Sequence, residues 1–221
     1  MKVFDGIYFI PGRMYDSNVI FLKGDINAIV DTGTGSFVEY LIQEIRKCGS
    51  GIEDIDWIID THCHHDHTGG NFEIKRKSKA KIAIHEKDLR PLQEGDQRVT
   101  GAWIFGQTAV PVKVERKLKE GDVLKLGNYD FEVIHAPGHT IGCICLYNAE
   151  NQILISGDVV FSHGGIGRVD TPTGNSSQMK ESIKRLTKLD VEILLPGHGP
   201  SVSKKAKEHI LKSYKMAEMF L

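Results

Sequence analysis

The chain reads as an α/β protein in which two sheets are sandwiched between helices. Two observations point there. Short apolar runs of strand character give way to helical repeats, and this strand-then-helix succession occurs twice along the chain. Candidate functional side chains also sit just past apolar runs, in loops marked by Gly or Pro, where an α/β sheet presents its working groups. Periodicity alone does not separate this layout from other α/β layouts.

The elements follow in order. Val3 to Ile10, Asn18 to Leu22 and Ile26 to Val30 read as short strands joined by Gly-containing turns. Phe37-Val38, Leu41-Ile42 and Ile45 recur at helical spacing, so a helix follows. Trp57 to Asp60 reads as a buried strand, Gly69-Gly70-Asn71-Phe72 opens a helix, and Lys81 to Ile84 is a further strand. In the second half Val123 to Leu126, Tyr129 to Ile134, Ile144 to Tyr147 and Ile153 to Ile155 are strands. Met179, Ile183, Leu186 and Leu189 mark a helix, Ile193 to Leu195 a strand, and Ala206 to Phe220 a last helix. The segment from Arg90 to Val112 lacks a regular pattern. It carries Pro91, Gly95, Gly101, Gly106 and Pro111 around Trp103 and Phe105, and reads as a long binding or lid loop without secondary structure of its own.

With 221 residues the chain has ample length for one core, and residues 1–221 are expected to form a single domain. A hydrophobic share of 40% and a charged share of 26% suit a water-soluble globular protein. A net charge of -1 gives no electrostatic reason to expect nucleic acid as a partner. Met1-Lys2-Val3-Phe4-Asp5 acquires charge at once, and no apolar run approaches the length of a membrane span. The expectation is a cytoplasmic protein with a small-molecule substrate and neither nucleic-acid nor membrane partner; oligomeric state is not legible. The four cysteines do not make a disulfide framework in a chain this long. Cys143 and Cys145 share one face of a strand and read as core packing, as does Cys48; Cys63 is expected to point away from its histidine neighbours.

The densest chemistry lies in Thr61-His62-Cys63-His64-His65-Asp66-His67, directly after the apolar run Trp57-Ile58-Ile59. Neutral imidazole is the commonest metal ligand among side chains, and carboxylate oxygen a frequent companion. In an extended segment residues two apart share a side, so His62 and His64 can grip one metal while Asp66 and His67, further on, face a second. Three later loops supply more donors: Ala136-Pro137-Gly138-His139-Thr140, Ser156-Gly157-Asp158 and Leu195-Pro196-Gly197-His198-Gly199, each after an apolar strand.

With these residues in hand, the chain resembles the metallo-β-lactamase superfamily over its whole length. Asp31-Thr32-Gly33 looks like that family's early Asp motif, followed by His62-x-His64-x-Asp66-His67, His139, Asp158 and His198. Gly157-Asp158-Val159-Val160-Phe161, Gly164-Gly165-Ile166-Gly167-Arg168-Val169-Asp170 and Pro196-Gly197-His198-Gly199-Pro200 are most similar to type II glyoxalases, the hydroxyacylglutathione hydrolases. The resemblance implies a four-layer αββα sandwich with metals at one edge of the sheets. It implies that His62, His64 and His139 hold one divalent ion and Asp66, His67 and His198 a second. Asp158 bridges them, with Asp66 and Asp158 the carboxylates at the reacting centre. Zinc is the expected metal, with iron or manganese as alternatives.

Two such ions draw the pKa of a shared water from ~15.7 towards ~7, so that a bridging hydroxide serves as nucleophile, and they polarise a substrate carbonyl. A thioester suits this site, because a thiolate of thiol pKa ~8.5 leaves without a strong general acid. The expected function is thioester hydrolysis of the glyoxalase II type. Glyoxalases often carry a C-terminal helical region that binds glutathione; one helix follows His198 here, so a shorter branch is the better analogy. A persulfide dioxygenase, which uses one iron on the equivalents of His62, His139 and Asp158, is the alternative from another reaction class, and a lactonase a further one. The full ligand set argues against a catalytically silent binding protein.

Other residues carry weaker expectations. Arg98 is a candidate for a substrate carboxylate, and Trp103 and Phe105 either wall a pocket or anchor their loop to the core. His163 is a candidate for the pocket rim. His65 is expected to face away from the metals. His85, His135 and His209 have no ligand-like context. Asp31 reads as a hydrogen-bonding support under the metal loops, and Arg168 with Asp170 as a buried pair fixing the Gly-rich loop.

Overall fold

A computed structural model of the chain describes residues 1–221. The first sheet holds β1 (Lys2–Phe4), β2 (Ile7–Ile10), β3 (Val19–Leu22), β4 (Ala28–Val30), β5 (Trp57–Ile59), β6 (Lys81–His85) and β7 (Arg116–Leu118), in that spatial order. The second holds β8 (Val123–Leu126), β9 (Tyr129–His135), β10 (Ile144–Asn148), β11 (Ile153–Gly157) and β12 (Ile193–Pro196), ordered β12-β11-β10-β9-β8. Strands β1 to β4 pair antiparallel, whereas β4 to β7 pair parallel, as do β11 and β12.

Strand alternation divides the apolar side chains into three cores, and three cores make four layers. Between the sheets lie Ile20 and Leu22 of β3, Phe131 and Val133 of β9, Ile144 and Leu146 of β10, and Ile153 and Ile155 of β11. Their alternates in the first sheet, Val19, Phe21, Ile58, Ile82 and Ile84, form a second core with Val38, Leu41, Ile42 and Ile45 of α1 (Val38–Lys47). Alternates of the second sheet, Cys145, Tyr147, Leu154 and Leu194, pack against Met179, Ile183 and Leu186 of α6 (Ser176–Leu186) and Ile210 and Ala217 of α7 (Ala206–Phe220). The result is the expected αββα sandwich, with Cys143 and Cys145 in its outer core. No helix is long and apolar enough to cross a membrane.

Several local expectations change. The run from Val3 to Ile10 is a hairpin of two strands, because Gly6 takes φ 65° and approaches Lys23 O too closely for any Cβ. Ile26 contributes only an isolated bridge to Gly127, and β7 was hidden by its charged sequence Arg116-Lys117-Leu118. Leu189 lies beyond the end of α6, although it still packs on that core. The segment from Arg90 to Val112 is not irregular throughout. It contains most of α4 (Leu89–Glu94), α5 (Gln97–Thr100) and a 3-10 turn over Ala102–Phe105, each followed by a left-handed glycine, Gly95, Gly101 and Gly106. These glycines stop each turn after four to six residues, which erased the helical period from the sequence.

Candidate metal centre

The donors arrive at one edge of the sandwich from both sheets. Strand β5 leads into His62 and His64. His64 is the last extended residue before α2 (His65–Thr68), whose single turn carries Asp66 and His67. Strands β9, β11 and β12 lead into His139, Asp158 and His198. Because β4 and β5 run parallel, as do β11 and β12, their carboxyl ends emerge on the same side, which is the usual place for such loops.

Three overlapping groups of donor atoms result: His62, His64 and His139; His62, His67 and Asp158; and Asp66, His67 and His198. Within each, the donor atoms lie within 4.8 Å of one another. His64 Nδ1 is 2.8 Å from His139 Nε2, and His198 Nε2 is 3.1 Å from Asp66 Oδ2. Asp158 reaches both sides: Oδ1 is 3.3 Å from His67 Nε2, and Oδ2 is 3.6 Å from His139 Nε2 and 3.7 Å from His198 Nε2.

The other ring nitrogens are tied back, which sets the tautomers. His67 Nδ1 donates to Asp31 Oδ2 at 2.8 Å, and His139 Nδ1 donates to Arg168 O at 2.6 Å. Thr61 Oγ1 donates to Asp31 and accepts from His62 Nδ1 at 3.1 Å. For His62 and His139 this leaves Nε2 as a lone pair aimed inward, the arrangement a metal-ligating histidine requires; His67 Nε2 faces inward in the same way once it gives up its proton. Asp31 is thus a support beneath two ligand loops, as its place in the sequence suggested. It takes φ 62°, unusual for a side-chain-bearing residue.

Burial and neighbouring histidines push the His62 imidazole well below its ordinary pKa, and burial with His139 pulls His64 down to about 3. Both rings are therefore neutral. Burial opposes ionisation of Asp158, but His67, His198 and His139 outweigh it and hold the carboxyl far below its usual range. His67 moves the other way: burial lowers it, yet Asp158, Asp31 and Asp66 raise it well above normal. A divalent ion fits this donor set on two counts. His62 Nε2 and Asp158 Oδ1 are buried and have no hydrogen-bond partner in the protein. The set also pairs the neutral imidazoles of His62 and His64 with ionised carboxylates, the ligand chemistry of zinc and of non-haem iron.

Three supports escaped sequence reasoning. Asp88, fully buried after β6, accepts from Cys63 N at 3.0 Å, Gly142 N at 2.9 Å and Thr140 Oγ1 at 2.6 Å. It therefore ties the His62–His64 loop to the His139 loop. Asn18 Nδ2 donates to Pro196 O and Gly199 O and so clamps the loop that carries His198. Asn71 Nδ2 donates to buried Asp60 at 2.8 Å and its Oδ1 accepts from Thr32 Oγ1, which also reaches His67 O. These residues lie between 11 and 181 positions from their partners, so the sequence around each carried no local signal. Gly197 is required by space: a Cβ there would lie 2.3 Å from Asp158 Oδ1 and 2.8 Å from His67 Cε1.

The weaker expectations divide. His65 does face away from the clusters. It is buried against Gln107 Oε1 and stacks on Phe105 with ring centroids 6.1 Å apart. Phe105 also meets Tyr15 at 6.1 Å, and Gln107 Nε2 donates to Ser36 Oγ, so this part of the loop is seated on the metal-loop turn. Trp103 is 66% exposed, and Arg98 is exposed, with only its backbone N–H held, by Asp96. The His163 ring faces His209 of α7 at 5.3 Å. Arg168 and Asp170 do pair, through two hydrogen bonds of 2.9 and 2.8 Å, but the expectation of burial fails: their side chains are 77% and 67% exposed. Fixing the Gly-rich loop falls instead to the Arg168 carbonyl on His139. Cys63 is buried away from solvent, and burial raises its thiol well above the ordinary value.

Known proteins give the same picture. A model of the metallo-beta-lactamase superfamily matches residues 12–198. A probable metallo-hydrolase of Methanocaldococcus jannaschii is 38% identical over 194 residues, covering 86% of this chain and 91% of that protein. The hydroxyacylglutathione hydrolase GloC of Haemophilus influenzae is 32% identical, covering 87% and 90%, and the human acyl-coenzyme A thioesterase MBLAC2 30%, covering 88% and 78%. The crystal structure of TTHA1623 in a di-iron-bound form superposes with a TM-score of 0.74 at 27% identity, covering 88% of this chain and 93% of that one. The chain belongs to the metallo-beta-lactamase superfamily, as one of its metallo-hydrolases.

Proposed function

We propose that this protein is a two-metal hydrolase of thioesters of a low-molecular-weight thiol. The observation that carries the reading is Asp158, whose two oxygens lie near histidines of both donor groups and would join them in one binuclear centre. His62, His64 and His139 would hold one ion, and Asp66, His67 and His198 the other. When bound, two such ions supply hydroxide from water near neutral pH and polarise a carbonyl. The protein's own part is to keep the His62 and His64 imidazoles neutral, to aim the rings of His62, His67 and His139 through Thr61, Asp31 and the Arg168 carbonyl, and to keep Asp66 and Asp158 ionised. Burial pulls Asp66 up, but His67 and the hydrogen bond from His198 leave it below the ordinary carboxylate value. It is thus ready to accept a hydrogen bond from water at the second group of donors.

Thioesters are favoured because a thiolate leaves without a proton donor. The carboxylates turned toward the centre, Asp66 and Asp158, are ionised and cannot act as one. Two relatives whose names describe thioester hydrolysis, GloC and MBLAC2, support the same reading. Trp103 would form an outer wall of the substrate pocket, and Phe105 the anchor that seats it.

The test is metal analysis of native protein together with a thioester hydrolysis and oxygen-uptake screen. Two ions per chain and oxygen-independent hydrolysis that chelation abolishes are expected. One iron per chain with oxygen-coupled consumption of a persulfide would move the protein to the dioxygenase class. Hydrolysis of ring esters in preference to thioesters would make it a lactonase.

A further inference from the structure

An open groove of about 450 Å³ runs from His198, at the second donor group, to the turn between β2 and β3. Phe9, Pro11, Met14 and Pro200 supply apolar surface along it. Met14 is 82% exposed and its backbone takes φ 53°, so a flexible apolar side chain is held out at the groove by a turn that L-residues rarely adopt. Asp16 is the one formally charged side chain in the lining. Its Oδ1 is already engaged by Thr34 N at 2.8 Å and Thr34 Oγ1 at 2.5 Å. The terminal ammonium of Met1 donates to Phe9 O at 2.7 Å. No lysine or arginine lines the groove.

We infer that this groove binds the acyl half of the substrate, and that the acyl group is an unbranched apolar chain rather than a short hydroxylated or charged one. The inference rests on the thioesterase reading for the position of the reacting carbonyl, because His198 belongs both to the groove and to the second donor group. With the carbonyl at the centre, the groove is continuous with one of its two substituents. A carrier bearing carboxylates or phosphates finds no lysine or arginine in the groove; the one cation there, the Met1 ammonium, is already engaged by Phe9 O, and Asp16 repels such a carrier, which therefore lies on the other side. An alkyl chain needs no polar partner and gains from every methylene removed from water. Beside the groove, the ring of Tyr15 meets Phe105 and extends the apolar surface from Met14 toward the exposed Trp103 and Ile104.

The experiment uses metal-loaded protein and non-hydrolysable thioether analogues of acyl N-acetylcysteamine, from the two-carbon to the eight-carbon chain, with affinity read by calorimetry. A neutral carrier keeps carrier charge out of the comparison. Kd is expected to fall about twofold per added methylene, the gain for covering roughly half of each in an open groove. Met14→Asp should flatten that series, and because Met14 is exposed the variant folds. A flat or rising series in the wild type, or an unchanged slope in Met14→Asp and in Tyr15→Ser alike, overturns the inference. Hydrolysis of the matching thioesters is measured separately. Its absence alongside an intact binding series would overturn the thioesterase reading and leave the groove assignment standing.

Discussion

The two halves of the donor site are built differently. The group of His62, His64 and His139 is buried at His62 and His139 and half-buried at His64, and is braced from three directions, by Asp88, by Thr61 on Asp31 and by the Arg168 carbonyl. The group of Asp66, His67 and His198 is buried only at His67; the side chains of His198 and Asp66 are 35% and 18% exposed. His198 rides on a loop clamped chiefly by Asn18, with Phe161 edge-on to its ring, and it opens onto a groove. The difference teaches that preorganisation and access compete. A ligand set braced by buried carboxylates holds its geometry without help, whereas the half that meets solvent gives up part of that bracing.

Removing the residue shared by both halves should have the largest effect. Asp158→Ala is expected to lower kcat by on the order of 10²–10³ or more and to reduce metal content below two ions per chain. Normal content of both ions in that variant would show that the halves do not depend on a common carboxylate.

The next effect separates the halves. His198→Ala should lose the second ion and retain the first, while His62→Ala, which removes a buried donor of the first group, should lose the first and retain the second. Elemental analysis after dialysis against a weak chelator, with the chelator affinity of the ion that remains, reads this directly. Loss of the same ion in both variants would show that the two halves do not hold separate ions.

Bracing residues come third. Asp88→Asn places an amide N–H against backbone N–H donors, and should weaken the first ion about 10–100-fold while leaving the second nearly unchanged. Asn18→Ala should do the reverse, by a smaller factor, because the clamp it removes acts through the chain and not on a ligand atom. The measurement is competition with a metallochromic chelator at both stages of loading.

The smallest effect is in pH. His64, lowered by burial to about 3, stays neutral throughout the mildly acid range, whereas His67, raised by three carboxylates, holds a proton that metal must displace. On acidification the second ion should therefore leave at a higher pH than the first. For the metal-free protein the signs follow from linkage. Stability supplied by keeping His64 neutral is complete above the unfolded pKa of ~6.5 and is lost as pH falls towards 3. His67 opposes this, because its raised pKa contributes most below ~6.5 and fades as pH rises through the folded value. In a His64→Gln variant the acid-side loss should be shallower by thermal melts; an unchanged profile would mean that the ring is not buried in solution.

Local chemistry is the part of this protein that one dimension records. The seven candidate donors were legible because each follows an apolar run and because four of them crowd into His62 to His67, a spacing that side-chain direction alone turns into two facing pairs. The layers were legible for the same reason: alternation in Val19 to Leu22 or Ile153 to Ile155 assigns successive side chains to opposite cores. What escaped was set by distance along the chain. Asp88 braces Thr140 across 52 positions and Asn18 clamps Gly199 across 181, contacts that exist only once both sheets are stacked. The helical turns in Arg90 to Val112 escaped because left-handed glycines cut each one short, and the solvent exposure of Arg168 with Asp170 because burial is a property of the packed surface. A residue type and its spacing determine which chemistry is on offer; only stacking the two sheets decided which groups brace it, which half of the site stays open, and where the groove beside it runs.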